Sequence, residues 1–269
     1  MTLPIDLCRY KIDDVPENGT VPHSHTVTSE IIQVFDNAGS ILINGVLYRM
    51  QKNGLYFIHG LATHLVSPDD LTHYNHSIII LHTTEIEKLC ANLDLKAEYE
   101  KIFTEKGGTF CALPPEKVLE VDKLFLDIHN TLESDGPMKY ANLSYSFVEL
   151  LKIGLKYNTE ENNPNTKISD IVSFISDNAL TRISIDDICK KTHISKYHLC
   201  RTFKEHIGVT IGEFIKSRRL SIAKQLLAET ELSVTQIAHH CCFTDASFFS
   251  KTFYKEIGMT PTVFRSKYR

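Results

Sequence analysis

"FKEHIGVTIGEF", residues 203–214, returns fifty positions later as "FYKEIGMTPTVF", residues 253–264. The echo reaches upstream. "ISIDDICKKTHISKYHLCRTF" begins at Ile183 and "LSVTQIAHHCCFTDASFFSKTF" at Leu232. Ile183/Leu232, Ser184/Ser233, Ile185/Val234 and Ile188/Ile237 align at an offset of 49. Phe203/Phe253, Ile207/Ile257, Gly208/Gly258, Thr210/Thr260 and Phe214/Phe264 align at 50, so the second copy has gained one residue in its turn.

Each copy follows one local grammar. Ser184 with Asp187, and Ser233 with Gln236, have the spacing of capping boxes that start a short helix. Ile188 and Ile237 supply that helix's apolar face. A second helix follows, with core positions Leu199/Phe203/Ile207 in one copy and Phe249/Phe253/Ile257 in the other, at four-residue steps. Gly208 and Gly258 stand where a helix ends on a left-handed residue. Short helix, turn and longer helix make a helix-turn-helix, at about 185–208 and again at about 233–258. Between them, "IGEFIKSRRLSIAKQLLA" (211–228) reads as one long amphipathic helix holding the units at a fixed separation.

In such a unit the second helix enters the DNA major groove. Its outward face follows from 100° per residue: with Leu199 buried, Tyr197 and Arg201 point away, Cys200 and Lys204 lie beside them, and Lys196 opens the helix. In the second copy Ser247 and Lys251 point outward with Phe248 beside them. Arginine can bond guanine at two atoms, and an aromatic ring can touch a thymine methyl. The competing reading of Phe248 is packing against the neighbouring helix. Thr210 (with Glu213) and Thr260 (before Pro261) cap further helices whose first amides can meet a phosphate; capping alone explains them equally well.

The rest of the chain has a different character. From Asp170 onward there are 15 Lys+Arg against 10 Asp+Glu; the first 169 residues hold 14 against 23. An acidic front and a basic back point to two jobs, with a polyanion as a partner of the back half. Seven cysteines with no Cys-x-x-Cys pair argue against a disulfide framework or structural zinc. No apolar run has membrane-spanning length and no basic-then-apolar leader opens the chain, so the expectation is a cytoplasmic protein. "YNTEENNPNT" (157–166) reads as a linker. Before it, 116–132 and 140–157 carry apolar residues at three- and four-residue steps around the turn "ESDGP", a helical hairpin that packs on its own domain, forms a dimer surface, or both. Residues 5–85 are rich in β-formers, with strands expected at "IIQVF", "SILIN", "VLYRM" and "GLYFI" in an antiparallel sandwich or barrel.

"SKYHLCRTFKEHIG", "FIKSRRLSIAKQLL", "SVTQIAHHCCF", "FFSKTFYKEIGMTP" and "FRSKYR" together resemble the DNA-binding domain of the AraC/XylS family of transcription regulators. The family usually has Gly-Phe where this chain has Cys242-Phe243; if that turn needs positive φ, the cysteine is strained. By resemblance the first recognition helix uses Tyr197, Cys200 and Arg201, and the second Ala246, Ser247, Phe248 and Lys251. Ala246 rests on resemblance only. The front half resembles the family's cupin-like sensor barrel: "GTVPHSHTVTSEIIQVFDNAG" carries His23, His25 and Glu30, and "GLYFIHGLATH" carries His64, with His59 where a proline is common.

The resemblance implies an α+β multidomain chain: a cupin-like antiparallel β-barrel at 1–112, a dimerising helical hairpin at 113–158, a linker at 159–167 and an all-α DNA-binding domain at 168–269. It implies a regulator of transcription, activator or repressor, and no enzyme. The partners are double-stranded DNA, a small-molecule effector (a sugar by family default) at His23, His25, Glu30 and His64, a second copy of the chain, and RNA polymerase. No cofactor and no membrane are expected. Two rivals remain at this stage: a metal-dependent cupin enzyme with a docking tail, whose metal the same three histidines and glutamate would hold, and a regulator that needs no ligand.

Overall fold

A computed structural model describes residues 2–13, 23–25, 27–36, 39–69, 73–104, 107–159 and 167–268. Among the described residues the front half holds eight strands: β1 (Ile5–Asp13), β2 (Thr28–Val34), β3 (Gly39–Ile43), β4 (Val46–Arg49), β5 (Leu55–Ile58), β6 (His64–Pro68), β7 (Asn75–His82) and β8 (Gly108–Cys111). They pair antiparallel in two sheets, ordered β1-β7-β2-β5-β8 and β4-β3-β6. The four strands expected from sequence correspond to β2 through β5; β1, β6, β7 and β8 are additional to them.

Alternation along the strands gives each sheet two apolar faces. Ile32, Val34, Ile41, Ile43, Tyr48, Tyr56, Val66 and Phe110 meet between the sheets. On the other face of the larger sheet, Ile31, Leu55, Phe57, Ile79 and Leu81 pack against helices. Those helices include a segment with no counterpart in the sequence reading: α1 (Thr83–Asn92), α2 (Lys96–Tyr99) and a π-helical turn Glu100–Thr104, inserted between β7 and β8. The helical hairpin is present as α3 (Pro115–Glu133) and α4 (Lys139–Tyr157). Val121, Phe125, Ile128, Leu143, Phe147 and Leu150 dock it on the sheet. Leu119, Leu126 and Tyr145 stay exposed.

Of the expected linker, 160–166 lies outside the described residues. Just before it, the Thr159 amide donates to the Phe110 carbonyl at 3.1 Å. The back half is helical: α5 (Lys167–Asp177), α6 (Ile185–Thr192), α7 (Lys196–Ile207), α8 (Ile211–Glu229), α9 (Val234–His240), α10 (Ala246–Ile257) and α11 (Pro261–Tyr268). The second face of the small sheet joins the halves. Leu42, Leu47 and Leu65 are buried in one core with Ile168, Ile171, Val172 and Ile175 of α5 and Leu199 and Phe203 of α7. Each leucine hidden there contributes about 2 kcal/mol of apolar burial. No helix among the described residues is long and apolar enough to cross a membrane.

Candidate DNA-binding surface and the histidine pocket

The two repeats fold alike because the same caps start and stop their helices. Ser184 accepts from the Asp187 amide and Asp187 accepts in return; Ser233 and Gln236 repeat the exchange before α9, and Thr210 with Glu213 before α8. Gly208 and Gly258 end α7 and α10 at φ +77° and +78°. The start of α10 has a cap the sequence reading missed: Asp245 accepts from the Phe248 amide at 2.7 Å. The turns before the long helices both use a left-handed non-glycine residue, His193 at φ +55° and Cys242 at +56°. The strain expected at Cys242 is therefore present, about 1 kcal/mol for a side chain in that region. It is offset by the Cys242 thiol donating to the Leu180 carbonyl at 2.9 Å.

With Leu199, Phe203 and Ile207 buried on α7, Lys196, Tyr197, Arg201 and Lys204 are exposed. Tyr197 is 76% exposed, and the Arg201 guanidinium lies 6.0 Å from its ring centre. Cys200 is half-buried against the apolar core, so it presents only an edge to the same face. On α10, Ser247, Phe248 and Lys251 are exposed, Phe248 by 54%, while Ala246 is half-buried in packing. Phe248 rests 6.3 Å from Phe243 but remains largely bare, so packing does not account for it. Thr210 and Thr260 are exposed at the starts of α8 and α11. The surface also includes His198 and Tyr254, exposed on the two helices and absent from the sequence-based set.

The units are tied rigidly to α8. Arg219 donates from Nε to the Ala179 carbonyl (2.8 Å), from one terminal nitrogen to Thr181 (2.8 Å) and from the other to Cys242 (3.2 Å). One guanidinium thus clamps the entry to the first unit and the turn of the second. Lys216 of α8 bonds Glu256 of α10 at 2.7 Å.

The other predicted cluster does assemble. Glu30 on β2 and His64 at the start of β6 point between the sheets and are buried. His23 pairs backbone to backbone with His64, at 2.9 and 2.7 Å. His25 Nε2 lies 2.6 Å from one Glu30 oxygen, and His64 Nε2 lies 3.5 Å from the other. Burial pulls the His64 imidazole well below its ordinary range and keeps it neutral. Burial works against the Glu30 carboxylate; with His64 neutral, what draws its carboxyl below the usual range is the hydrogen bond from His25 and the neighbouring His25 and His23 rings.

The pocket's outer rim belongs to both halves. His23, Ser24 and His25 line a cavity of about 850 Å³ together with Lys204, Glu213, Lys216, Lys224 and Lys255. The polar residues of the long helix are not all solvated, because the loops of the front half cover Arg218, Ser221 and Lys224. Lys224 is fully buried and donates to the carbonyls of Ser24 (3.0 Å) and His25 (3.2 Å). Ser221 donates to the Leu61 carbonyl, and Arg218 to the Asn44 side chain.

Residues 188–267 match a family model described as a helix-turn-helix domain. The chain is 23% identical over 263 residues to the HTH-type transcriptional activator RhaR of Enterobacter sp. (strain 638), covering 96% of this chain and 91% of that protein. It is 23% identical over 259 residues to the RhaR of Shigella flexneri, covering 94% and 89%. Among solved structures it is similar to ToxT from Vibrio cholerae (14% identity, 97% of each chain, TM-score 0.39). It is also similar to the DNA-binding domain of AdpA in complex with a target DNA (19% identity, 39% of this chain and 95% of that one, TM-score 0.37).

Proposed function

We infer that this chain, a DNA-binding transcription regulator of the AraC/XylS family and not an enzyme, sets α7 and α10 into consecutive major-groove segments of one duplex. The observation that carries this reading is the paired exposure of Tyr197 and Arg201 on one helix and Phe248 and Lys251 on its repeat, each behind the same cap and core. Arg201 and Phe248 read bases; Lys196, Lys204 and the helix starts at Thr210 and Thr260 hold phosphates. The relatives that span nearly the whole chain are named activators, and we read this chain as an activator too, acting on RNA polymerase in the cytoplasm.

Control comes from the front half in this reading. A small polar effector, a sugar as the working choice, enters the cavity at the seam and meets His23 and His25 at its rim, with the buried Glu30 and His64 behind them. Lys224 bonds the backbone of the same segment, so a ligand there acts on α8 directly. Such a ligand shifts DNA binding only by its preference for one arrangement of the halves. The exposed Leu119 and Leu126 of α3, seven residues apart, with Tyr145 on α4, form the surface for a second copy.

The test is selection of binding sites from a random duplex library by the full chain. The expected product is a motif with two contacted segments about one helical turn apart, ~10 base pairs. Recovery of no enriched motif at physiological salt would overturn the reading.

A further inference from the structure

We propose that Glu205 is a positioning residue of the first reading helix: it aims the Arg201 guanidinium at guanine and repels the phosphates of DNA that lacks the site. The proposal rests on the reading of α7 as a helix that enters the major groove, and it names what makes that helix selective.

Glu205 follows Arg201 by four residues, which turns it only about 40° around the helix. Both side chains are more than half exposed, and Arg201 Nε lies 3.4 Å from a Glu205 carboxylate oxygen. One turn back, the Tyr197 ring centre is 6.0 Å from the guanidinium carbon. The arginine is thus bracketed by a ring and a carboxylate on the face that meets DNA. Held at Nε, it keeps both terminal nitrogens for the fork that bonds guanine O6 and N7. A fork already aimed loses less rotamer freedom on binding.

Helix stability gives no reason for an acid here. Position 205 lies in the last turn of α7, which ends at Ile207, where the helix dipole disfavours a carboxylate. Base first and acid four residues on is also the weaker order for such a pair. The second copy does without it. At the offset of 50, Lys251 stands for Arg201, Ser247 for Tyr197 and Lys255 for Glu205. Lys251 is a point charge with neither a ring nor a carboxylate at those positions, so α10 has no matching fork. Charge completes the case. The N-terminal part of a recognition helix reads the bases, so Glu205, near the other end, comes beside the phosphates. At the selected site Arg201 stays paired with it. On other sequences Arg201 turns to a phosphate, which leaves the carboxylate uncompensated against the backbone.

The experiment measures binding of the full chain to the selected site, to versions of that site with each guanine replaced, and to random duplex, over a salt series. Glu205→Gln should melt no lower than the parent chain, bind random duplex at least ~3-fold tighter, and lose at least ~3-fold of its preference for one guanine. Glu205→Lys, which copies the second unit, should do both more strongly. In an Arg201→Ala background Glu205→Gln should leave base preference where it is, since the carboxylate acts through the arginine. An unchanged ratio of selected to random binding in Glu205→Gln, with Arg201→Ala still relaxing one position, would overturn the proposal and leave the reading of α7 standing. A lowered melting temperature in Glu205→Gln would make Glu205 a structural residue and overturn it as well. If Arg201→Ala leaves every base preference intact, the reading of α7 falls and the proposal with it.

Discussion

The ammonium of Lys224 on α8 and the carbonyl of His25 are hydrogen-bonded at 3.2 Å across the seam between the halves, one hundred and ninety-nine residues apart in sequence. Burial pulls this lysine down to about 7, so hiding it is costly. Lys224→Met replaces it with an apolar chain of similar length. The lost hydrogen bonds and the relieved desolvation oppose each other, so the melting temperature should move little. Amide exchange at 23–25 should rise, because the carbonyls of both Ser24 and His25 lose the donor that holds them to α8. Unchanged exchange there would show that the bond does not hold the segment.

Arg201→Ala should cost about 1–3 kcal/mol in affinity for the selected site and relax base preference at one position. Lys204→Ala should weaken all sequences alike and flatten the salt dependence by about one ion. Binding curves for the site and single-base variants over a salt series separate the two. Sequence-selective loss in Lys204→Ala, or none in Arg201→Ala, would reverse their roles.

Phe248→Ala removes an exposed ring, so stability should change by less than about 0.5 kcal/mol. Affinity for the second half of the selected motif should fall while the first half is still protected in footprints. A large drop in melting temperature would instead make Phe248 a packing residue against Phe243.

The repeated units were legible because their rules are local. A cap, a core stripe and a terminal glycine lie within one turn of each other, and the copies checked one another. The cap at Asp245 left no mark because its counterpart in the first copy, Ser195, makes no side-chain cap bond, and Phe248 three residues on completes no capping box. The histidine cluster was found through resemblance; geometry adds that His64 and Glu30 are buried whereas His23 and His25 reach the seam. The docking of the halves was not legible. "SILIN" alternates as any buried strand does, and nothing in Leu42, Leu47 or Leu65 says that their cover is a helix more than a hundred residues away. Lys224 and Ser221 read as the solvated side of a helix, since their partners are backbone carbonyls that leave no mark in sequence. β1 escaped for a different reason: its register shifts twice against β7, which breaks the alternation.

Arg219→Ala should destabilise the helical half by about 2–3 kcal/mol, because charged donors to the carbonyls of Ala179, Thr181 and Cys242 disappear together. Arg219→Lys keeps the charge but cannot span three carbonyls, so it should recover only part. Chemical denaturation reads both, and equal stability of all three proteins would remove the clamp from the account.

Gly45 lies close against α5 and gives a test of the docking of the halves. It follows Asn44 in the two-residue turn between β3 and β4, with φ +50° and +91°, the positive pair such a hairpin needs. A Cβ at Gly45 would stand 2.2 Å from the Ser176 hydroxyl oxygen on α5. Gly45→Ala therefore carries two costs, about 1 kcal/mol of backbone strain and a clash that pushes α5 off the small sheet. Ser176→Gly removes the obstructing side chain. The double variant should regain the packing part and keep the strain part, so its loss should be smaller than that of Gly45→Ala alone. Additive losses in the double-mutant cycle would mean that α5 does not rest on this turn in solution.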